Sequence, residues 1–281
     1  MQNPFKNKLF LLGVIAGVSG ILCGAQNALA APRGLLNDTG QPLCDDGAPN
    51  MVACAPANSG DAGTRPRQDG RFGRDPAAAA GQLTKIGAGA AGFDFTKVCM
   101  DGALNCAGAA SNAAAPAAAE WACTKDNNTN LVWSLHTPTN TWADATTTLP
   151  AAANSATRCG FNTGWRLPTR RELLSIVHSG TSSPTIDSAY FPGATASLYW
   201  SNDTYAPGPA NAWGLRFALG NSDAYAKTDF NEVRLVRSAA PPPAMAFTDN
   251  GDGTVSDTGT GLMWDKCSQG QSGANCGTGT A

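Results

Sequence analysis

Apolar positions are distributed unevenly along the chain and divide it into regions. An apolar run from Leu9 to Ala25 follows Lys6 and Lys8 and precedes Ala28-Leu29-Ala30. A basic start, an apolar stretch and a small-x-small end predict an export signal over residues 1–30, with Ala31 as the mature N-terminus. An uncleaved anchor is the other reading, because the run is near the lower length for crossing a bilayer. Over residues 31–92 large apolar residues are scarce, and Gly, Ala, Pro, Asn and Asp dominate. Burial there offsets too little ordering entropy, which predicts a low-complexity, mostly irregular segment. Within it, Asp75 as N-cap, Pro76 at the first helical position and Ala77 to Ala80 before Gly81 predict one short helix.

Folded patterning begins at Phe93 and runs to Ser238, a stretch that holds six of the seven tryptophans. Thr169 and Glu172 have the spacing of a capping box, Pro168 disfavours helix upstream, and Leu173, Ile176 and Val177 share one helical face. They predict a helix over about Thr169 to Ser179. Glu172 could act as a general acid, but the cap accounts for it. Leu198 to Ser201, Ala212 to Phe217 and Val233 to Arg237 have strand patterns, with a turn at Gly220-Asn221. The expected fold class for residues 93–238 is therefore α+β: one main helix on a small antiparallel sheet with long loops. The Ala-rich stretch from Cys99 to Ala119 reads as an insertion. Three consecutive prolines make residues 239–246 a stiff linker.

After the linker the pattern restarts. Asp126, Thr129, Leu131 and Trp133 recur as Asp257, Thr260, Leu262 and Trp264 at one constant offset. Phe95-Thr96 precedes the first set as Phe247-Thr248 precedes the second, and the difference in spacing has the size of the insertion. A repeat of this kind reports architecture. Residues 247–281 are expected to be the truncated start of a second domain, because the helix motif and the closing strands do not recur in them.

Charged residues make up 14% of the 281-residue chain, against about 25% in an ordinary domain. Loss of Lys6 and Lys8 with the signal takes the formal net charge from −2 to −4. That balance argues against nucleic acid as a partner. Of nine cysteines, Cys23 leaves with the signal, and the even remainder suits an oxidising compartment. Spacing suggests Cys44 with Cys54, Cys99 with Cys106 and Cys267 with Cys276, leaving Cys123 to pair with Cys159. Cys-x-x-Cys spacing is lacking, so zinc is not expected.

His136 and His178 are the only histidines and lie far apart, and neither a Gly-x-Ser-x-Gly elbow nor a phosphate-binding glycine loop occurs. No enzyme activity, catalytic residue or cofactor is expected. Asp249, Asp252 and Asp257 invite a calcium reading, but Asn250-Gly251 and Asp252-Gly253 are hairpin-turn pairs, and both readings stand. From Trp200 to Asn231 the chain carries Asn202, Asp203, Tyr205, Asn211, Trp213, Asn221, Asp223, Tyr225, Lys227 and Asp229. Tyr, Trp and Asn join rigid amphipathic area to adaptable hydrogen bonding, as a ligand-binding surface requires. The opposing reading places Trp200 and Trp213 in the core and the rest in ordinary polar loops.

Gly164-Trp165-Arg166-Leu167-Pro168-Thr169, the Glu172-Leu173 helix, Tyr199-Trp200-Ser201, Ala212-Trp213 and Val233-Arg234-Leu235-Val236-Arg237 together resemble the bacterial Lcl-type C-terminal domain. The same order is more distantly similar to formylglycine-generating-enzyme-like domains of the C-type-lectin-like folds. Asp249 to Val255 with Thr260 to Trp264 resembles the opening signature of such a domain. The resemblance covers Phe93 to Ser238 and Phe247 to Ala281. It implies a C-type-lectin-like fold used for surface recognition, in one branch as an adhesin for sulfated polysaccharide. Two departures limit it. The oxidase branch needs C-terminal-half cysteines, and none lies between Cys159 and Cys267. A polyanion-binding face needs basic residues, and only Arg216, Lys227, Arg234 and Arg237 lie near the sheet. The expected function is an exported, noncatalytic protein, periplasmic, cell-surface or secreted, without a membrane span once the signal is cleaved. It would bind an extracellular glycan or protein. The alternatives are a structural envelope module that spaces other parts, or a diversified ligand-binding protein of the retroelement-target type.

Overall fold

The computed structural model describes residues 37–41, 43–45, 51–53, 74–238, 247–257, 262–268, 270–272, 276 and 278–279. The expected signal at 1–30 and linker at 239–246 lie outside the described residues. In chain order the elements are β1 (Leu43–Asp45), β2 (Met51–Ala53), α1 (Arg74–Ala79), β3 (Phe95–Cys99), β4 (Trp121–Asp126), β5 (Leu131–Ser134), β6 (Thr139–Asn140), α2 (Trp142–Thr146), α3 (Thr148–Ser155) and α4 (Arg170–Leu174). They continue as β7 (Leu198–Thr204), β8 (Asn211–Arg216), β9 (Asn221–Ala226), β10 (Asn231–Glu232), β11 (Val236–Ser238), β12 (Phe247–Asp249), β13 (Thr254–Asp257), β14 (Leu262–Asp265), β15 (Gln271–Ser272) and β16 (Thr278–Gly279).

Two sheets form the centre, where a single antiparallel sheet was expected. One is antiparallel in the order β11-β5-β4-β3, and the other runs β6-β10-β7-β8-β9 with β10 parallel to β7. Strands β4 and β5 and the first half of β7 are buried on two faces. Leu131 and Trp133 of β5 join a cluster with Phe93, Phe95, Leu173, Ile176, Phe191, Tyr199 and Leu215, whereas Val132 joins one with Trp165, Leu167, Trp200, Ala212 and Val233. Two-sided burial makes strands continuously apolar, which blurs the period-two signal. Cys123 pairs with Cys159, tying β4 to the turn at Arg158–Gly160.

The expectation of one main helix is also corrected, because the helices are several and short. In α4 the capping box is present: the Thr169 side chain accepts from the Glu172 N–H, and the Glu172 carboxylate accepts from the Thr169 N–H. The helix stops at Leu174 rather than near Ser179, since Ile176 and Val177 bond three residues back and His178 N–H turns away to Thr185 O. Bonds of that span close tighter, shorter turns.

The described part of residues 31–92 contains β1, β2 and α1, and polar anchors fasten it to the domain. Asn37 Nδ2 donates to Asp126 Oδ2 at 2.6 Å and to Ser175 O at 3.0 Å. Thr39 O accepts from Ser179 N–H at 2.7 Å. Asp75 is not the N-cap of α1 but a buried residue inside its first turn, whose carboxylate accepts from the N–H groups of Gly40 and Gly92. The Asp38 carboxylate caps the helix instead, accepting from the N–H groups of Arg74 and Asp75. A cap delivered across 36 residues cannot be found from local spacing.

Candidate recognition surface

The β7–β8 connection, residues 205–210, leaves the five-stranded sheet beside the N-terminus of α4. Register pairs Thr204 with Ala212 and Trp200 with Gly214, so Trp213 points to the face opposite Ala212. On that face Trp213 receives the edge of Tyr205, ring centroids 5.1 Å apart, and the Arg170 guanidinium lies 4.4 Å from its ring. Asp203 holds the start of α4 in place, its carboxylate accepting from the Arg170 N–H. At the same end of the sheet Lys227 Nζ sits 4.0 Å over the Trp142 ring and donates to Thr204 Oγ1 at 2.9 Å. Trp142 is fixed from behind, its Nε1 donating to Ser201 O and its N–H to Lys227 O. The result is two aromatic–cation pairs flanking one turn, all five side chains half-buried.

Such pairs hold long cationic side chains over a ring face and so reduce the ordering cost of binding. The Arg170 guanidinium makes no hydrogen bond among the described residues. Tyr205, Trp213, Lys227 and Asp203 therefore come together as a surface, with Trp142, Arg170 and Thr204 added by the fold. Trp142 follows the N-cap Thr141 of a short Ala/Thr-rich helix, and Arg170 follows the cap of α4; neither position carries a recognition signal by itself.

The rest of the expected set lies elsewhere. Asn221 and Asp223 stand opposite Arg216 and Gly214, toward the far end of the β8–β9 ladder from Asn211. Six residue pairs, and so five steps at the strand rise, put the two ends about 17 Å apart. Tyr225 is bonded by the Arg216 guanidinium and packs against the Trp200 cluster, and Trp200 itself is fully buried. Asp229 lies in the exposed turn after β9, and Asn202 is exposed on β7 with its N–H donated to Pro168 O. Arg234 drops out of the expected basic face. It is wholly buried between Phe191 and Tyr199, donates from Nη1 to Ser134 O, and burial pulls its pKa down.

The carboxylates raised for calcium are engaged in backbone turns. Asp249 accepts from the Gly251 N–H and pairs with Lys266, and Asp252 accepts from the Thr254 N–H and hydroxyl. Hydrogen bonds from those partners hold both carboxyls below their ordinary pKa. Asp257 sits in β13 opposite Phe247 and Leu262, away from the turn. Among the described residues no group of three His, Cys, Asp or Glu side chains is placed to hold a metal ion.

Cys99–Cys106, Cys123–Cys159 and Cys267–Cys276 form disulfides, with Cα separations of 5.1, 6.3 and 5.2 Å. Cys44 is disulfide-bonded, and its expected partner Cys54 lies outside the described residues. No helix among the described residues is long and apolar enough to cross a membrane. The model of the Lcl C-terminal domain family matches residues 122–237, from β4 to β11, and so takes in both aromatic–cation pairs. No curated protein matches the chain.

Proposed function

We infer from the match of residues 122–237 to the Lcl C-terminal domain family that the chain is an exported, noncatalytic recognition protein of the cell surface or its surroundings. Its ligand is an extracellular glycan or protein, held at the β7–β8 turn. The observation that carries this reading is the pair of ordered cations, Arg170 over Trp213 and Lys227 over Trp142, at one end of the sheet. A core does not need them, whereas a ligand rich in oxygen acceptors does: the guanidinium and ammonium supply donors, and the rings of Tyr205 and Trp213 supply rigid amphipathic area. The disulfides and the family's association with adhesion are in keeping with an oxidising, extracytoplasmic setting. The test is a glycan and protein array probed with the disulfide-bonded chain. Saturable binding to at least one class is expected, and no signal above background on either class favours the spacer module instead.

A further inference from the structure

The outer edge of β3 is covered in two pieces. Ala88 and Phe95 exchange both backbone hydrogen bonds, at 2.9 and 2.6 Å, and Cys106, in the loop closed by the Cys99–Cys106 disulfide, donates its N–H to Lys97 O at 3.1 Å. Between the two pieces lies a cavity of about 330 Å³ lined by Ile86, Phe95, Lys97, Asn105, Cys106 and Tyr190. Strand alternation turns the Lys97 N–H, like that of Phe95, away from β4 and toward this gap. Of these six residues only Tyr190 belongs to the matched span 122–237; the others come from β3, the segment before it and the Ala-rich insertion. The cavity also borders the four-stranded sheet, whereas the β7–β8 turn leaves the five-stranded one.

Two side-chain donors of this cavity lack acceptors. Lys97 Nζ lies 4.1 Å from the Trp121 ring centroid and 5.9 Å from that of Tyr190, and among the described residues it makes neither a hydrogen bond nor an ion pair. The Tyr190 hydroxyl is likewise unbonded among them. Burial, then the charges of Asp187 and Asp94, raise its pKa, so it stays a donor. Neither carboxylate serves Lys97: Asp94 accepts from the N–H groups of Ile86 and Gly87 and from Asn127 Nδ2, and Asp187 from the N–H groups of Ala90 and Ala189. Ile86 and Phe95, whose ring lies 5.5 Å from that of Tyr190, make part of the wall apolar. One ammonium and one hydroxyl suit a singly charged carboxylate, and the two nearby aspartates disfavour a dianion such as phosphate. The volume is at the low end for ligand pockets and admits a body of about one ring. We propose that this cavity binds a small carboxylate with a compact apolar body, its oxygens held by Lys97 and Tyr190 and its body between Phe95 and Ile86. The site is separate from the β7–β8 surface, so either reading can fail without the other.

The test titrates benzoate into the full disulfide-bonded chain at constant ionic strength and follows backbone amide shifts by heteronuclear NMR. Saturable shifts centred on Lys97, Asn105 and Tyr190 are expected. Affinity should fall by about tenfold or more for neutral benzamide and for Lys97→Met, and by about threefold or more for Tyr190→Phe. The benzamide comparison uses the parent chain and Tyr190→Phe removes only the hydroxyl, so the proposal stays falsifiable if Lys97→Met does not fold. No saturable shift, or equal affinity for benzoate and benzamide, overturns the proposal, as does benzoate binding that a folded Lys97→Met leaves unchanged. Loss of benzoate binding in Arg170→Ala also overturns it, because the carboxylate then sits at the β7–β8 turn.

Discussion

At Glu172 burial and hydrogen bonding oppose each other. Burial raises the carboxyl pKa, but hydrogen bonds and charge from Arg166, with bonds from Thr169, outweigh it and leave the pKa below its ordinary 4.5. A folded-state value below the unfolded one contributes stability that is present above about pH 4.5 and is lost as pH falls through the folded value. Glu172→Gln should therefore cost about 1–3 kcal/mol at pH 7, read by urea unfolding, with the gap to the parent closing toward pH 3. Asp126 has the opposite sign. Burial raises its pKa despite bonds from Thr129, Asn128 and Asn37, so its contribution is present below 3.8 and is lost as pH rises through the folded value. The parent's stability relative to Asp126→Asn should accordingly be greatest at low pH in the same titration, and a gap that widens with rising pH would contradict this assignment. The Thr169–Glu172 box was legible because its partners are three residues apart. Burial of Arg234 was not, because strand alternation sends every second side chain outward unless a neighbouring element covers it, here Phe191 and Tyr199.

Between elements, the Cys123–Cys159 disulfide joins β4 to the turn that follows α3, across a sequence separation of 36. Removing it by Cys123→Ala with Cys159→Ala should lower stability by about 3–4 kcal/mol in the loop-entropy model. Urea unfolding checks the magnitude, and a loss under about 1 kcal/mol would mean that packing of α3 already restrains the loop. Elements were legible where apolar residues or caps recur locally: α4, β7 and β8 begin near their expected positions. Helices α2 and α3 were not, because their Ala/Thr-rich sequence buries only Ala145, Pro150 and Ala153 and leaves no apolar stripe. Strand β9 was missed for a related reason: Asn221-Ser222-Asp223-Ala224-Tyr225-Ala226 is a largely polar edge strand whose register is imposed by β8.

Across the whole molecule, a domain cut at Phe93 loses the anchors that Asn37, Thr39 and Asp75 provide. Their removal leaves Asp126 without its Asn37 partner and the Ser179 N–H without Thr39 O. Residues 93–238 alone should therefore unfold about 5–15 °C below residues 31–238 in a thermal melt, as expected for the loss of a few buried polar contacts. Equal melting temperatures would show that the N-terminal segment is merely laid on the surface. Composition could not reveal this docking, because the contacts among the described residues are hydrogen bonds made by Asn37, Thr39 and Asp75 with partners distant in sequence. The proposed surface joins Tyr205, Trp213 and Lys227, which residue type singles out, to Trp142 and Arg170, which arrive through the fold. The two ends of the β8–β9 ladder then provide the decisive comparison. Against whichever array ligand binds, Tyr205→Ala with Lys227→Ala should weaken affinity by about tenfold or more, and Asn221→Ala with Asp223→Ala should leave it within about twofold, both measured by titration calorimetry on folded variants. Loss at the Asn221 end with retention at the Tyr205 end would contradict the assignment of the binding surface.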